Sequence, residues 1–438
     1  MMQAVTIIEH ARIRVTCRPG GHGTSRKGVF ASSRVGLRRQ PPSLLTLASS
    51  FPNPPTTTTK TTTTILTIGE ALYDCLASDA DLGVSDVDKV SSWTPYPGGA
   101  PANVATALAR LSGAEKDDNE ESSANLFNVA FLTALGNDGP GDEFLELLAT
   151  RGVDTSYVQR KGLPTREVLV TRDLSGDRTF AGFRSGGSKT MSSGGYADCE
   201  IRYDDFDKQL GALGKSDGAD FPFDVCVMGT LGLAYGVTGE TMRQVAKRMG
   251  PTSGGGKLMV IDVNWRPVFW EEYGADEARE MVWNFLKTYG NGVVKMTDEE
   301  VAWLFAGELG REEALEHPER VLAKLHDVKL LLVSAGEFGS SYAARSGSGQ
   351  DEVLKGRVPV LKVDRIADTT GAGDAYLAGF LAFMLKNGGI DALRRDAVLL
   401  KSGVEFATAC GAATCLRVGA IGSQPTETEA LRMLDLGR

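Results

Sequence analysis

The residues best suited to chemistry lie in Asp368–Tyr376, whose sequence is Asp-Thr-Thr-Gly-Ala-Gly-Asp-Ala-Tyr. Apolar residues at three- and four-residue spacing follow this stretch, which predicts a helix with Asp374 in its first turn. Backbone N–H groups of Gly371, Ala372 and Gly373 would then point at one spot, where the helix dipole adds partial positive charge. Such a spot attracts anions, and Asp374 beside it could accept the proton of a hydroxyl that attacks a phosphate.

This motif alone leaves the role of Asp374 open. An acid in the first turn of a helix is also favoured because its charge complements the dipole, a stabilisation of less than ~1 kcal/mol. The glycine pattern is neither the G-x-x-x-x-G-K-[ST] phosphate loop nor G-x-G-x-x-G. The rest of the chain must therefore decide between a catalytic base and a helix-terminal acid.

Composition narrows the possible chemistry. The 438 residues are 42% hydrophobic and 24% charged, which allows a sizeable core. A net charge of −9 argues against a nucleic-acid partner, and no run approaches the ~18 apolar residues that span a membrane. Four histidines and six scattered cysteines without a C-x-x-C pair argue against a histidine triad, a zinc site or a disulfide framework. Chemistry based on Asp, Lys and Arg remains.

The N-terminal segment differs from the rest of the chain. Residues 1–64 contain nine Lys or Arg and a single acid, are rich in Ser, Thr and Pro, and end in two threonine runs. This composition is typical of an organelle transit peptide, although a plain disordered tail is the alternative. We therefore expect a disordered leader at 1–62, addressed to an organelle, with the plastid preferred over the mitochondrion or cytoplasm. The folded domain is expected at 63–438.

The folded part should begin with a strand at Ile65–Glu70, followed by Asp74. Ligands of open α/β sheets bind at the carboxyl ends of strands, so Asp74 is either a ligand residue or a turn residue. Gly98 and Gly99 precede a helical pattern whose first turns contain Asn103. On a purely structural interpretation, the two glycines form a turn and Asn103 caps the helix. Their functional interpretation is a close backbone approach to a polar ligand.

Strand-like apolar runs alternate with helical patterns along the remaining chain. Because such alternation is typical of parallel strands joined by crossover helices, we expect a doubly covered, mostly parallel sheet. A polar hairpin at Glu167–Phe180 interrupts the alternation and predicts a small sheet beside the main one. The main strand candidates are Val225–Thr230, Leu258–Asn264, Val293–Thr297 and Leu330–Ser334.

Several of these motifs, in this order, resemble the ribokinase-like sugar kinases of the PfkB carbohydrate kinase family, from about Ile65 to the C-terminus. Within that family the sequence is most similar to fructokinases. The resemblance implies a three-layer αβα sandwich with a small β-sheet lid, whose strands would lie at about 84–93 and 165–183. The motifs that carry it are Gly69–Leu72, Pro97–Asn103, Asp262–Arg266, Asp368–Tyr376, Ala409–Ala412 and Gly419–Ile421.

The resemblance also implies roles for individual residues. Asp374 would be the catalytic base, the turn Gly371–Gly373 the anion hole, and Arg266 a stabiliser of the transferred charge. The residues that would hold the sugar are Asp74, Gly98, Gly99, Asn103 and Arg184.

ATP and Mg²⁺ are the implied cosubstrate and cofactor, with K⁺ as a further implied ion. Glu300 would bind magnesium through water, and Asp368 would belong to a potassium-binding loop. The family's N-x-x-E motif is here Thr297-Asp298-Glu299-Glu300, which keeps the acid and leaves the role of Thr297 open. The residues implied in nucleotide binding are Lys295, Ser334, Gly336, Gly339, Thr370 and Gly419.

The function expected from the resemblance is an ATP-dependent fructokinase that phosphorylates the 6-hydroxyl of D-fructose. A ribokinase or 2-keto-3-deoxygluconate kinase of the same fold is one alternative. A catalytically weak, kinase-like partner protein in an organelle is another, because the leader would suit it. A homodimer that pairs through the lid is also expected.

Overall fold

The computed structural model describes residues 62–113, 126–174, 178–184, 192–215, 221–250, 257–347, 352–363 and 365–436. The predicted leader, apart from Thr62, lies outside the described residues, as do residues 175–177 of the predicted hairpin turn. The strands are β1 (Thr63–Ile68), β2 (Leu72–Ala77), β3 (Trp93–Gly98), β4 (Phe127–Gly136), β5 (Val158–Lys161), β6 (Arg166–Arg172), β7 (Arg178–Arg184), β8 (Val225–Gly229), β9 (Leu258–Asp262), β10 (Val293–Thr297), β11 (Leu330–Ser334), β12 (Ser340–Arg345) and β13 (Val353–Val358).

The helices begin after the first small-sheet strands and then alternate with the strands of the main sheet. They are α1 (Ala100–Leu111), α2 (Gly139–Thr150), α3 (Tyr203–Ala212), α4 (Gly236–Met249), α5 (Ala275–Tyr289), α6 (Asp298–Leu304), α7 (Arg311–Glu316), α8 (Pro318–Lys324), α9 (Ala372–Lys386), α10 (Gly389–Leu393), α11 (Ala397–Thr414) and α12 (Glu427–Leu436).

Among the described strands, nine form one sheet in the order β13-β12-β11-β10-β9-β8-β1-β4-β5. The pairs from β11 to β5 are parallel, whereas β12 and β13 pair antiparallel at one edge. Parallel neighbours need crossover connections, which the intervening helices supply. Both faces are covered, so strands such as β8 are buried along their whole length.

Helices cover both faces of this sheet. Along β11, Leu330 and Leu332 lie in one apolar core while Leu331 and Val333 lie in the other, as the two-residue period of a strand requires. Side chains of α1, α9 and α11 share the first core, and those of α4, α5 and α8 share the second. This is the three-layer αβα sandwich that the resemblance implies.

A second, smaller sheet has the order β3-β2-β6-β7. The predicted hairpin is confirmed as β6 and β7, but the expected lid strand at 84–93 is wrong. That segment contains a single turn at Val87–Lys89, where Asp86 accepts a hydrogen bond from the N–H of Asp88, and the strand begins only at Trp93. Such local side-chain bonds compete with strand pairing. The strand that pairs with both β3 and β6 is β2, which follows β1 directly and was not predicted as a separate strand.

A buried ion pair fastens the base of the small sheet to the rest of the domain. Arg166 opens β6, and its Nε and Nη2 atoms each donate a 2.8 Å hydrogen bond to the carboxylate of Asp198. Its Nη1 atom donates to the carbonyl of Ser193 at 2.8 Å. Four aromatic rings surround the guanidinium at 4.5–5.3 Å and add cation–π attraction: Phe183, Tyr196, Tyr235 and Phe269.

No helix among the described residues combines the length and the apolar character that crossing a membrane requires.

Candidate active site

The glycine turn that precedes α9 has the predicted form. Gly371 is the N-cap residue of α9 with φ 78°, a left-handed conformation that glycine adopts without strain. A Cβ atom at Gly371 would lie 2.7 Å from the Cβ of Ala420, so no larger residue fits. Ala372 and Gly373 begin the helix, and Asp374 lies in its first turn with its side chain partly buried. The N–H of Ala372 donates to the carbonyl of Thr369 at 3.2 Å. The first N–H groups of a helix have no partner within the helix, so those beside Ala372 can point at an anion.

Asn103 lies directly against Asp374. Its Nδ2 atom donates a 2.7 Å hydrogen bond to Oδ2 of Asp374, and it comes from the first turn of α1, 271 positions away in the sequence. Asn103 is buried, and its Oδ1 atom has no hydrogen-bond partner among the described residues. A buried acceptor without a donor is costly, which suits a site whose ligand carries hydroxyl groups.

The electrostatic surroundings of Asp374 suit a base. Burial raises the pKa of its carboxyl above the ordinary value, while the charge of Lys295, the hydrogen bond from Asn103 and the charge of Arg266 pull it back down. The charge of Glu300 again raises the pKa. A carboxylate with a raised pKa is a stronger base than one in water, provided that it is ionised at the working pH.

Lys295 supplies the positive charge beside the anion-binding turn. Its Nζ atom lies 3.0 Å from Oδ2 of Asp262, and a Cβ atom built on Gly373 would lie 3.3 Å from Nζ. Burial by itself lowers the pKa of Lys295, but the charges of Asp262, Glu300 and Asp374 outweigh that effect and raise it. The ammonium group therefore stays charged next to the turn where a phosphate would bind.

Glu300 and Thr297 form a reciprocal cap at the start of α6. The N–H of Glu300 donates to Oγ1 of Thr297 at 3.1 Å, and the N–H of Thr297 donates to Oε2 of Glu300 at 2.7 Å. The other oxygen of Glu300 accepts a 2.7 Å bond from the N–H of Trp265. Thr297 thus has a clear role that its T-x-x-E spacing could have predicted. Arg266 follows Trp265 with an exposed side chain 3.8 Å from Glu300.

The hydrogen bonds of Glu300 restrict how its carboxylate could bind magnesium. The described residues contain no group of three or more His, Cys, Asp or Glu side chains that could hold a metal. Both oxygens of Glu300 already accept backbone hydrogen bonds. Oδ1 of Asp262, beside Lys295, is buried and has no hydrogen-bond partner among the described residues. Such a donor set fits a hydrated Mg²⁺ that phosphates and waters coordinate, as this ion prefers.

Asp74 occupies an unexpected position. It lies inside β2 of the small sheet rather than at the carboxyl end of a main-sheet strand or in a turn. Its Oδ2 atom would be 2.8 Å from a Cβ atom at Gly98, so the glycine allows the carboxylate to lie against β3. Gly99 has φ 96°, and a Cβ there would lie 2.6 Å from the carbonyl of Glu70. Both glycines therefore allow close approaches within the protein, and their contact with a ligand stays a prediction.

Arg184, which was expected near the sugar, lies on the face of the small sheet opposite to Asp74. Strand pairing aligns Arg184 with Glu167 and Tyr73, whereas Asp74 aligns with Val168 on the opposite face of the small sheet. Arg184 donates from Nε to Glu167 at 2.9 Å and lies over the ring of Trp93. A role for Arg184 at the sugar stays a prediction.

The residues expected at the nucleotide lie in two groups. In the first, Ser334 ends β11 beside Thr297, so its side chain is at the same sheet edge as Lys295. Gly336 and Gly339 follow it with φ 50° and 86°, in a turn where a Cβ at Gly339 would lie 2.4 Å from the carbonyl of Val358.

The second group surrounds Asp368. One carboxylate oxygen of Asp368 accepts bonds from the N–H and the hydroxyl of Thr370, at 2.9 and 2.8 Å. The other oxygen accepts from the N–H of Gly419 at 2.9 Å. The carboxylate therefore links two loops next to Gly371. Potassium binding at this loop stays a prediction.

Glu70 is a site residue that the sequence reasoning used only as part of a motif. It follows β1, is buried, and its Oε1 atom accepts a 3.2 Å bond from the N–H of Ala100 at the start of α1. The pKa of Glu70 is raised to about 8, mainly by burial and in part by the charges of Asp198 and Asp374, while backbone hydrogen bonds oppose the rise. Glu70 thus holds the helix that presents Asn103, and it does so mostly as the neutral acid at pH 7.

Replacing Glu70 with glutamine is expected to remove a pH dependence of stability. The folded state keeps the Glu70 proton up to a pKa of about 8, whereas an ordinary carboxyl releases it near 4.5. Stability of the wild type should therefore fall as the pH rises from about 4.5 to about 8, and Glu70→Gln should not share this fall. Thermal melts of both proteins at pH 5 and pH 8.5 measure it, with the exposed Glu277→Gln as control. Parallel curves for wild type and Glu70→Gln would show that Glu70 is ionised throughout.

Comparison with known proteins agrees with this geometry. The profile described as "pfkB family carbohydrate kinase" matches residues 62–192 and 232–427. "Probable fructokinase-5" of Arabidopsis thaliana is 27% identical over 373 residues, which are 84% of this chain and 97% of that protein. "Probable fructokinase-6, chloroplastic" of the same plant is 29% identical over 366 residues, which are 83% of this chain and 80% of that protein.

Solved structures share the fold. The fructokinase of Xylella fastidiosa with bound ATP superposes with a TM-score of 0.65 at 24% identity, covering 86% of this chain and 99% of that one. The fructokinase of Vibrio cholerae O395, in a form with fructose, ADP and calcium ion, superposes with a TM-score of 0.62 at 22% identity, covering 85% and 99%. Since the family profile matches well over half of the sequence and includes the residues around Asp374, the chain belongs to the pfkB family of carbohydrate kinases, enzymes that transfer a phosphoryl group to a sugar hydroxyl.

Proposed function

We propose that this protein is an ATP-dependent fructokinase that transfers the γ-phosphoryl group of ATP to the 6-hydroxyl of D-fructose. The observation that carries the proposal is the contact of Asn103 with Asp374 at the glycine turn, which joins a hydroxyl-binding group, a base and an anion-binding turn at one point. The relatives named above as fructokinases support the choice of sugar, because the similarity extends over 80–97% of their own length.

Asp374 would accept the proton of the attacking hydroxyl. Its Oδ2 atom is occupied by the hydrogen bond from Asn103, and no hydrogen bond from the described residues reaches Oδ1. As the hydroxyl proton passes to Oδ1, the sugar oxygen forms a bond to the γ-phosphorus and the bond to the β-phosphate oxygen breaks. The N–H groups at Gly371–Gly373 and the ammonium of Lys295 would stabilise the charge on the transferred group.

The remaining residues would hold the two substrates. Asp74 and the unpartnered oxygen of Asn103 would accept bonds from sugar hydroxyls next to Gly98 and Gly99. The nucleotide would lie at the carboxyl ends of β10 and β11. Mg²⁺, when bound, would neutralise phosphate charge, with Asp262 and Glu300 facing its waters, and K⁺ would bind near Asp368. The nucleotide residues are Lys295, Ser334, Gly336, Gly339, Thr370 and Gly419, and Arg266 is placed to reach the phosphates.

The test is ATP turnover by the protein with magnesium and potassium, against fructose, ribose, 2-keto-3-deoxygluconate and adenosine in parallel. Fructose-selective turnover is the expected result. Turnover on another sugar would keep the role of Asp374 and replace the proposed substrate. A folded protein that phosphorylates none of them would favour the kinase-like partner protein. The intact Asn103–Asp374 pair argues against that alternative, because a protein without catalysis has no need of it.

We further propose that residues 1–62 are a transit peptide, with the plastid as the destination. The basic, acid-poor composition supports it, and one relative carries the word chloroplastic in its name. A chain shortened to begin at Thr62 is expected to fold and to keep the full turnover of the longer chain. Soluble yield, melting temperature and kcat of the two proteins measure this. An insoluble or inactive short chain would show that the segment belongs to the folded domain.

A homodimer through the small sheet remains part of the proposal. Light scattering of the shortened chain, at concentrations from the micromolar range upward, distinguishes it from a monomer.

A further inference from the structure

One short segment contacts three parts of the candidate active site: Asp368, the turn at Gly371 and the first turn of α1. This segment, Gly419–Gln424, we call the junction segment. Its first N–H donates to Asp368, and Gly419 lies so close to the small sheet that a Cβ there would be 2.9 Å from the ring of Tyr96. Its second residue, Ala420, lies against Gly371 of the anion-binding turn. The segment therefore contacts both the phosphate side of the site and the small sheet.

The last residue of the junction segment contacts the sugar side. Gln424 is fully buried, and its Nε2 atom donates a 2.6 Å hydrogen bond to the backbone carbonyl of Asn103. That carbonyl lies in the first turn of α1, whose Asn103 side chain bonds Asp374. A continuous path of contacts thus runs from Gly371 through Ala420 and Gln424 to Asn103, and it returns to the catalytic turn at Asp374.

Packing alone does not explain a glutamine at this position. Its Oε1 atom is buried and has no hydrogen-bond partner among the described residues. Burying an unpaired amide oxygen is unfavourable, and a methionine of similar length would fill the same space without this cost. What glutamine provides and methionine lacks is the donor to the carbonyl of Asn103.

We propose that Gln424 is a positioning residue that holds Asn103 in register with Asp374, so that the sugar hydroxyl and the phosphate-binding turn meet in one fixed geometry. Nothing in this role requires Gln424 to touch a substrate. It rests on the proposed function only in the choice of fructose as the sugar, because the contacts themselves concern any sugar that Asn103 binds.

Gln424→Met tests the proposal. We expect kcat/KM for fructose to fall between about threefold and tenfold, the factor that one ordinary hydrogen bond provides, through both a higher KM and a lower kcat. KM for ATP should stay within twofold, because Asp368 and Gly371 keep their own contacts. The matched control is Gln244→Met on α4, where the glutamine donates to the exposed side chain of Glu240. It should leave all constants unchanged.

The acid limb of the pH profile of kcat is a second measurement, and a purely structural role of Gln424 would leave it unchanged. The hydrogen bond from Asn103 favours the charged form of Asp374, so a weakened bond should move the acid limb of kcat to higher pH. The other charged groups near Asp374 are Lys295, Arg266, Glu300, Asp262 and Glu70, and Gln424→Met leaves all of them in place.

The outcomes separate this inference from the proposed function. A wild type that phosphorylates a sugar other than fructose overturns the proposed substrate, and the same variants are then assayed with that sugar. A Gln424→Met protein with wild-type constants and an unshifted acid limb overturns the inference, whatever its melting temperature. If Gln424→Met does not fold, Gln424→Asn, which is shorter by one methylene and cannot reach the carbonyl, takes its place with the same expected losses.

Discussion

Replacing Asp374 with asparagine is expected to lower kcat by about 10³-fold, within the range of a positioned general base. The amide oxygen can still accept the hydrogen bond that Asn103 now donates to Oδ2, so the geometry around the turn should persist. An amide cannot accept the proton of the attacking hydroxyl. Steady-state turnover with fructose and ATP measures kcat, and calorimetric titration measures sugar binding, which should change by less than about threefold.

A control variant and the results that would contradict the prediction complete this test. Asp276 lies in the first turn of α5 with an exposed side chain, so Asp276→Asn makes the same chemical change at another helix start. It should leave kcat unchanged. If Asp374→Asn turns over at the wild-type rate, Asp374 is only the helix-terminal acid that the motif alone also allowed. If it loses sugar binding together with turnover, its carboxylate is a sugar ligand first.

The main sheet could be predicted because each of its strands is specified locally. Runs such as β10 and β11 are continuously apolar, as strands buried on both faces must be, and they were predicted with the bounds that they have. The start of α9 was also determined locally, because a glycine with positive φ followed by small residues can adopt few backbone conformations other than a turn into a helix. Where one segment determines its own structure, the sequence was sufficient.

The small sheet could be predicted only in part, because its pairing is not local. β2 is six residues long and shares its apolar character with the strand before it, so nothing nearby shows that it leaves the main sheet after Gly69. Its partners β3 and β6 lie far along the chain. Asp74 was accordingly placed at a strand end, although it lies inside β2, where one position of register separates the two faces of the sheet.

Contacts between distant segments decided the rest of the site. Neither Glu70 nor Gln424 has a sequence motif that marks its role, since each acts on the first turn of α1 from another part of the chain. Glu300 is different. Its T-x-x-E spacing with Thr297 is a recognised helix cap, and the pattern was available in the sequence although we had expected only a metal role.

Loss of Asp198 is expected to produce the largest stability change in the described part of the chain. The Arg166–Asp198 pair has side chains that are 0% and 2% exposed, so Asp198→Ala leaves a guanidinium charge buried without its counter-ion. Breaking such a pair from one side costs about 3–5 kcal/mol. Chemical denaturation, with the midpoint and slope both fitted, measures the change in the free energy of unfolding.

The double variant Arg166→Met with Asp198→Leu distinguishes a lost charge pair from lost packing. It removes both charges and fills the space with apolar atoms, so it should recover most of the stability that Asp198→Ala loses. The exposed pair of Arg279 with Asp276 is the control, because Asp276→Ala there should cost less than about 1 kcal/mol. If the double variant is as unstable as Asp198→Ala, the four rings around Arg166 depend on its cation, and the base of the small sheet is held by cation–π contacts rather than by the ion pair. If Asp198→Ala itself is as stable as the wild type, then water reaches the guanidinium and the small sheet opens at its base in solution.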